Sequence, residues 1–105
     1  MVVVLFRAML TEEAGADYAT MAGELLVHAR TLPGFIDFTT YEAANGEHLS
    51  VIRWESQELL RAWSDDMRHV IAQRLGRDKW YRYFRIEIAE IARSYGFDRD
   101  AGKSG

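Results

Sequence analysis

Of the side chains in this sequence, three histidines are best suited to move a proton near neutral pH, and their surroundings differ. His69 lies on a stretch where Leu59, Leu60, Trp63, Met67, Val70 and Ile71 recur at helical spacing, so it can stand near Trp63 as base, acid or ligand. Its helical neighbours Ala62, Asp66 and Gln73 do not form an apolar row, and a half-exposed histidine on the flank of that helix is the competing reading. His28 sits among Met21, Leu25 and Leu32 and reads as a packed or edge residue, while His48 follows a turn and reads as solvated. The histidines lack the HExxH spacing of a zinc site, and no serine occupies a G-x-S-x-G elbow, so metallohydrolase and serine hydrolase chemistry have no motif here. Without cysteine there is no disulfide, zinc-thiolate site, iron-sulfur cluster or thiol nucleophile.

A second constellation runs from Arg68 to Arg85. It holds Arg68, Arg74, Arg77, Lys79, Arg82 and Arg85 against Asp78, interleaved with Trp80, Tyr81 and Tyr83. Basic residues among aromatics can hold single-stranded nucleic acid. The chain as a whole is acidic, with a net charge of -3, and Glu58, Asp65, Asp66 and Glu87 lie near enough in sequence to pair with these cations. A solvated surface or an anion-tolerant pocket mouth is therefore the reading, with no nucleic-acid partner. The aromatic set Trp63, Trp80, Tyr81, Tyr83 and Phe84 has two readings, core packing and the wall of a site.

The elements that must position these residues follow from pattern. At 105 residues, 49% hydrophobic and 28% charged, the chain fits one soluble globular domain. Val2–Phe6 is β-branched and aromatic with apolar residues at both parities, as in a strand covered on both faces. Arg7 stops this run and no basic segment precedes it, so it reads as neither signal peptide nor membrane span, and the cytoplasm is the expected compartment. Thr11, followed by two glutamates, reads as the cap of an amphipathic helix over about 12–31, which Pro33-Gly34 ends. Residues 35–42 and 49–54 read as the strands of a hairpin turning at Asn45-Gly46. Ser56 caps the second helix, which Asp65-Asp66 is positioned to bend, and a last strand reaches about Ile91. Residues 98–105 form a polar tail, leaving a domain over 1–97.

This β-α-β-β-α-β order is the ferredoxin-like α+β arrangement, a four-stranded antiparallel sheet with both helices on one face. The opposite face then lacks cover from its own chain, and a second copy packed sheet to sheet, a homodimer, is the expected partner. Strand parity separates Val2, Val4, Phe6 and Ala8 from Val3, Leu5, Arg7 and Met9. The wholly apolar parity is assigned to the dimer interface and the Arg7 parity to the space beneath the helices. That space, mostly apolar with a few polar groups, has the composition of a small-molecule cleft.

Pro33-Gly34-Phe35, Arg53-Trp54-Glu55-Ser56, Ala62-Trp63, His69, Ala72-Gln73, Trp80-Tyr81 and Arg93-Ser94-Tyr95-Gly96-Phe97 together resemble an antibiotic biosynthesis monooxygenase (ABM) domain over about residues 2–97. The resemblance implies a dimeric α+β barrel and, for the cofactor-free members, deprotonation of a phenolic or polyketide-like substrate whose anion itself reduces O2, with no prosthetic group. It places the family's pocket Trp at Trp54, its strand Asn at Ser50 and its helical Tyr at Leu60, so two of three polar groups are replaced. Arg7, Trp54 and His69 are then the candidate catalytic residues, with Arg7 or His69 stabilising an anion, and Trp63, Tyr83, Ser50, Gln73 and Trp80 the candidate substrate contacts. The family's heme-degrading branch is the alternative. There the resemblance sets Arg7 at a strand Asn, matches Trp63, and puts Gln73 where the iron-ligating His stands. His69 lies one turn earlier, about 5 Å along the axis. A dimeric ligand-binding domain without redox chemistry is the third reading.

Overall fold

The computed structural model describes residues 1–73 and 79–100. Its elements are β1 (Val2–Leu10), α1 (Gly15–Thr31), β2 (Phe35–Glu42), β3 (His48–Trp54), α2 (Gln57–Gln73) and β4 (Tyr81–Glu90), in the order β-α-β-β-α-β. The sheet runs β2-β3-β1-β4 with every neighbouring pair antiparallel, the ferredoxin-like fold. The side chains of Val70, Ile71 and Gln73, the basic-stretch residues Arg74 and Arg77, and residues 101–105 of the polar tail lie outside the described residues.

Local chemistry explains most element ends. The Ser56 hydroxyl accepts from the Leu59 amide at 3.2 Å and caps α2 as its sequence position requires. Asp65-Asp66 does not break that helix, because both carboxylates point outward to partners, Asp65 to Arg68 at 2.9 Å and Asp66 to His28 at 2.9 Å. Thr11 does not cap α1. Its hydroxyl donates to the Lys79 carbonyl, tying the approach to β4 to the end of β1, and α1 starts at Gly15 behind an Ala14 cap without a side-chain bond. Gly34 carries φ +89° where the chain turns from α1 into β2, and Gly46 carries φ +91° in the hairpin turn closed by Ala43 and Glu47.

The faces of the sheet are the reverse of the assignment made from parity. Val2, Val4, Phe6 and Ala8 are buried, packed with Ile52 and Trp54 against Met21, Leu25 and Ala29 of α1 and Leu60, Trp63 and Met67 of α2. Arg7 and its parity lie on the open face. The reason is desolvation: the wholly apolar face takes the cover supplied by the chain itself, whereas a guanidinium under the helices would need a buried partner. On the open face Arg7 pairs with Glu47 at 3.3 Å and Arg53 with Asp37 at 3.1 Å, around a half-buried centre of Val3, Leu5, Met9, Leu49 and Val51.

Two bulges break the two-residue alternation. In β2, Phe35 opposes Trp54 and Asp37 opposes Arg53, leaving Ile36 extra; in β4, Tyr83 opposes Met9 and Tyr81 opposes Leu10, leaving Arg82 extra. Each bulge brings two aromatics three positions apart, Phe35 with Phe38 and Tyr81 with Phe84, onto the face beneath the helices.

Candidate active site

A cavity of about 300 Å³ lies between the helices and the sheet. Its walls are aromatic and aliphatic: Phe6 from β1, Phe38 from β2, Tyr18 and Met21 from α1, Trp63 from α2 and Tyr81 from β4. Trp63 is held in place by its indole N–H, which donates to the Leu25 carbonyl at 3.0 Å, so one bond fixes the ring and joins α2 to α1. Tyr18 and Tyr81 meet edge-on at 5.8 Å between ring centres. Burial pushes both phenols above their ordinary range, and they stay neutral.

The polar part of the wall is concentrated where β2 and β3 begin to part into the hairpin. Thr40 Oγ1 and Ser50 Oγ are hydrogen-bonded across the strands at 2.9 Å, and both residues line the cavity. Next to them on β3, His48 also lines it, with Nε2 3.9 Å from the Glu42 carboxylate. The cavity thus has largely apolar walls that include two phenols, and a β2–β3 rim carrying two aliphatic hydroxyls and an imidazole, the composition of a site for a small, largely aromatic molecule with one or two oxygens.

The expected residues divide among several places. Trp63 and Ser50 lie on the cavity wall. Trp54 is fully buried behind it, 5.8 Å from Trp63 and 5.6 Å from Phe35 between ring centres, and Trp80 is buried at an edge contact with Tyr18. Among the described residues the indole nitrogens of Trp54 and Trp80 have no hydrogen-bond partner. Arg7 and Tyr83 are not brought to the cavity: Tyr83 lies on the open face with Arg7, donating to Glu47, and that bond raises its phenol above the usual range. His69 is exposed, in a shallow groove between the helices with Glu24, Leu25, His28 and Asp66. Tyr81 stands where Tyr83 was expected, since the β4 bulge reverses its face. His48, expected in solvent, is a half-buried strand residue. The alternation of Ser50, Ile52 and Trp54, carried back one more step, would have found it.

The donor set bears on heme. Among the described residues no three His, Cys, Asp or Glu side chains cluster as metal ligands. The imidazole on the cavity wall, His48, sits beside Glu42 at the rim, and His69 is outside the wall.

Over residues 1–74 the sequence matches the model of the antibiotic biosynthesis monooxygenase family. The chain belongs to that family. Among known proteins, it is 25% identical over 97 residues to the uncharacterized protein YqjZ of Bacillus subtilis (strain 168), a match covering 92% of this chain and 84% of YqjZ. Its fold is similar to that of SnoaB, a cofactor-independent oxygenase from Streptomyces nogalater, with TM-score 0.68, 13% identity and coverage of 89% of this chain and 94% of SnoaB. It is also similar to MhuD with two manganese protoporphyrin IX bound per active site, with TM-score 0.63, 22% identity and coverage of 92% and 100%. Among the described residues no helix is long and apolar enough to cross a membrane.

Proposed function

We propose that this chain is an oxygenase that takes a small phenolic or polyketide-like aromatic into the cavity beneath the helices and oxidises it with O2 without a prosthetic group. One observation carries the reading: a cavity of about 300 Å³ with aromatic walls, the Tyr18 and Tyr81 phenols among them, and a set of small polar side chains, Thr40, Ser50 and His48, on its β2–β3 side. An aromatic ring is stabilised by the walls, and its oxygen by the hydroxyls, which become stronger donors as that oxygen gains charge. Membership of the monooxygenase family supports the reaction class.

The same reading makes the chain a homodimer through its open sheet face. The half-buried centre of Val3, Leu5, Met9, Leu49 and Val51, rimmed by paired charges, is apolar enough to be covered and polar enough at its edge to set a register.

The test is oxygen uptake with a panel of phenols, naphthols and anthrones. Uptake above the protein-free rate is expected for at least one, and Thr40→Val with Ser50→Ala should cut it by about tenfold or more, since hydrogen bonds to a charged oxygen contribute about 1.5–3 kcal/mol. Background uptake across the panel, with ligands still raising the melting temperature, would establish a binding domain instead. A Soret band on adding hemin would establish the heme reading. For the dimer, Leu5→Arg is expected to give monomers in sedimentation velocity, and an unchanged dimer would refute the open-face assembly.

A further inference from the structure

We propose that His48 is the proton acceptor of the cavity, taking the hydroxyl proton of a phenol whose oxygen lies against Thr40 and Ser50; this rests on the phenol-binding reading above. Its placement supports the role. His48, Ser50 and Ile52 alternate along β3, share the face beneath the helices and all line the cavity. Across the strand pair, Glu42 opposes His48 and Thr40 opposes Ser50, so an imidazole–carboxylate pair and a hydroxyl pair sit side by side on one rim. Their spacing along the strand is about 6.6 Å, enough for one oxygen between them to reach both.

No other described group on the wall can do this work. Tyr18 and Tyr81 are themselves neutral phenols and hold no free base near pH 7. Arg7 and Tyr83 face the opposite side of the sheet, and His28 and His69 lie in the groove outside.

The step is a simple proton transfer. The phenol O–H bond breaks, its electron pair stays on oxygen as phenolate, and the proton joins an imidazole nitrogen. Nε2 faces Glu42, which leaves Nδ1 to accept. The imidazolium is then stabilised by the Glu42 carboxylate and by the phenolate, while of the bonded Thr40 and Ser50 hydroxyls the one that accepts from the other donates its own proton to the phenolate. The His48 side chain is 33% exposed, so the proton can pass on to water without crossing the protein interior.

The experiment uses 4-nitrophenol, whose anion absorbs in the visible, as a probe bound to the intact protein. Binding is read separately by the rise in melting temperature. At a pH one unit below the probe's solution pKa, about a tenth of free probe is ionised, and a one-unit fall in its apparent pKa on binding would raise that to about a half. That rise is expected with the native protein, and its loss in His48→Gln, with binding retained. Glu42→Gln should weaken it and provides the same readout should His48→Gln fail to fold. His69→Ala should leave it unchanged. An anion fraction in His48→Gln or Glu42→Gln equal to that of the native protein overturns the role of His48 while leaving the phenol cavity standing. Failure of the probe to bind the native protein refutes the phenol cavity, and this assignment with it.

Discussion

Replacing Trp63 by Phe tests whether one indole both shapes the cavity and holds the two helices together. The substitution removes the buried N–H donated to the Leu25 carbonyl at 3.0 Å and the outer ring that packs on Trp54 and Phe38. Leu25 lies within α1, so its carbonyl keeps the helical bond and the loss is that of one ordinary hydrogen bond, about 1 kcal/mol. The missing ring removes about two methylene equivalents of burial and leaves a small void, adding about 1–2 kcal/mol. A total of about 2–3 kcal/mol corresponds to a fall in melting temperature on the order of 10–20 °C for a domain this small. Urea unfolding followed by circular dichroism, at one fixed protein concentration so that dimerisation does not intrude, measures it. The enlarged cavity should at the same time accept bulkier aromatics, read as a larger melting shift with naphthols than with phenols. A stability change under about 0.5 kcal/mol at constant denaturant slope would refute the reasoning, because a ring with these contacts cannot be removed without cost.

Two further outcomes follow from local geometry. In Gly34→Ala the new Cβ would stand 2.5 Å from Leu59 Cδ1 and 2.8 Å from Leu59 Cβ at φ +89°, so a loss of about 2–4 kcal/mol is expected in the same unfolding assay, and a neutral result would show that the turn re-forms. Burial raises the Tyr18 and Tyr81 phenols above their unfolded value of 10.0, so above about pH 10 the unfolded chain releases protons that the folded chain keeps and stability falls as pH rises. Tyr81→Phe should flatten that fall between pH 10 and 11 by up to about 1.4 kcal/mol per pH unit, and an identical slope in both proteins would contradict it.

What the sequence made legible was what neighbouring residues decide. The hairpin, the Ser56 cap and the order of strands and helices depend on turn residues, hydroxyls and periodicity within a few positions. Which face of the sheet receives the helices does not. Parity groups Val2 with Val4 and Arg7 with Leu5, but only the cost of burying Arg7 chooses between the groups, and that cost follows from the residue types alone. Leaving it unweighed carried Arg7 into the expected site, whereas His48 was read as solvated because it follows the turn, although it continues the alternation of Ser50, Ile52 and Trp54. Tyr81 was missed for a different reason: strict two-residue alternation cannot put Tyr81 and Phe84 on one face, and a bulge has no distinctive residue here to announce it. Trp63 and Ser50, each on a regular stretch of its element, do lie on the cavity wall.

The two bulged residues also say where this protein can change length. Losing any other residue in the paired part of β2 or β4 would shift the ladder by one and exchange the cavity wall for the open face. Losing Ile36 or Arg82 would instead restore a regular ladder, with Phe35 still opposite Trp54 and Tyr81 still opposite Leu10. Within these strands, single-codon deletions fixed in descendants of this sequence are accordingly expected at those two positions, where the lineage can drift in length without remaking its pocket.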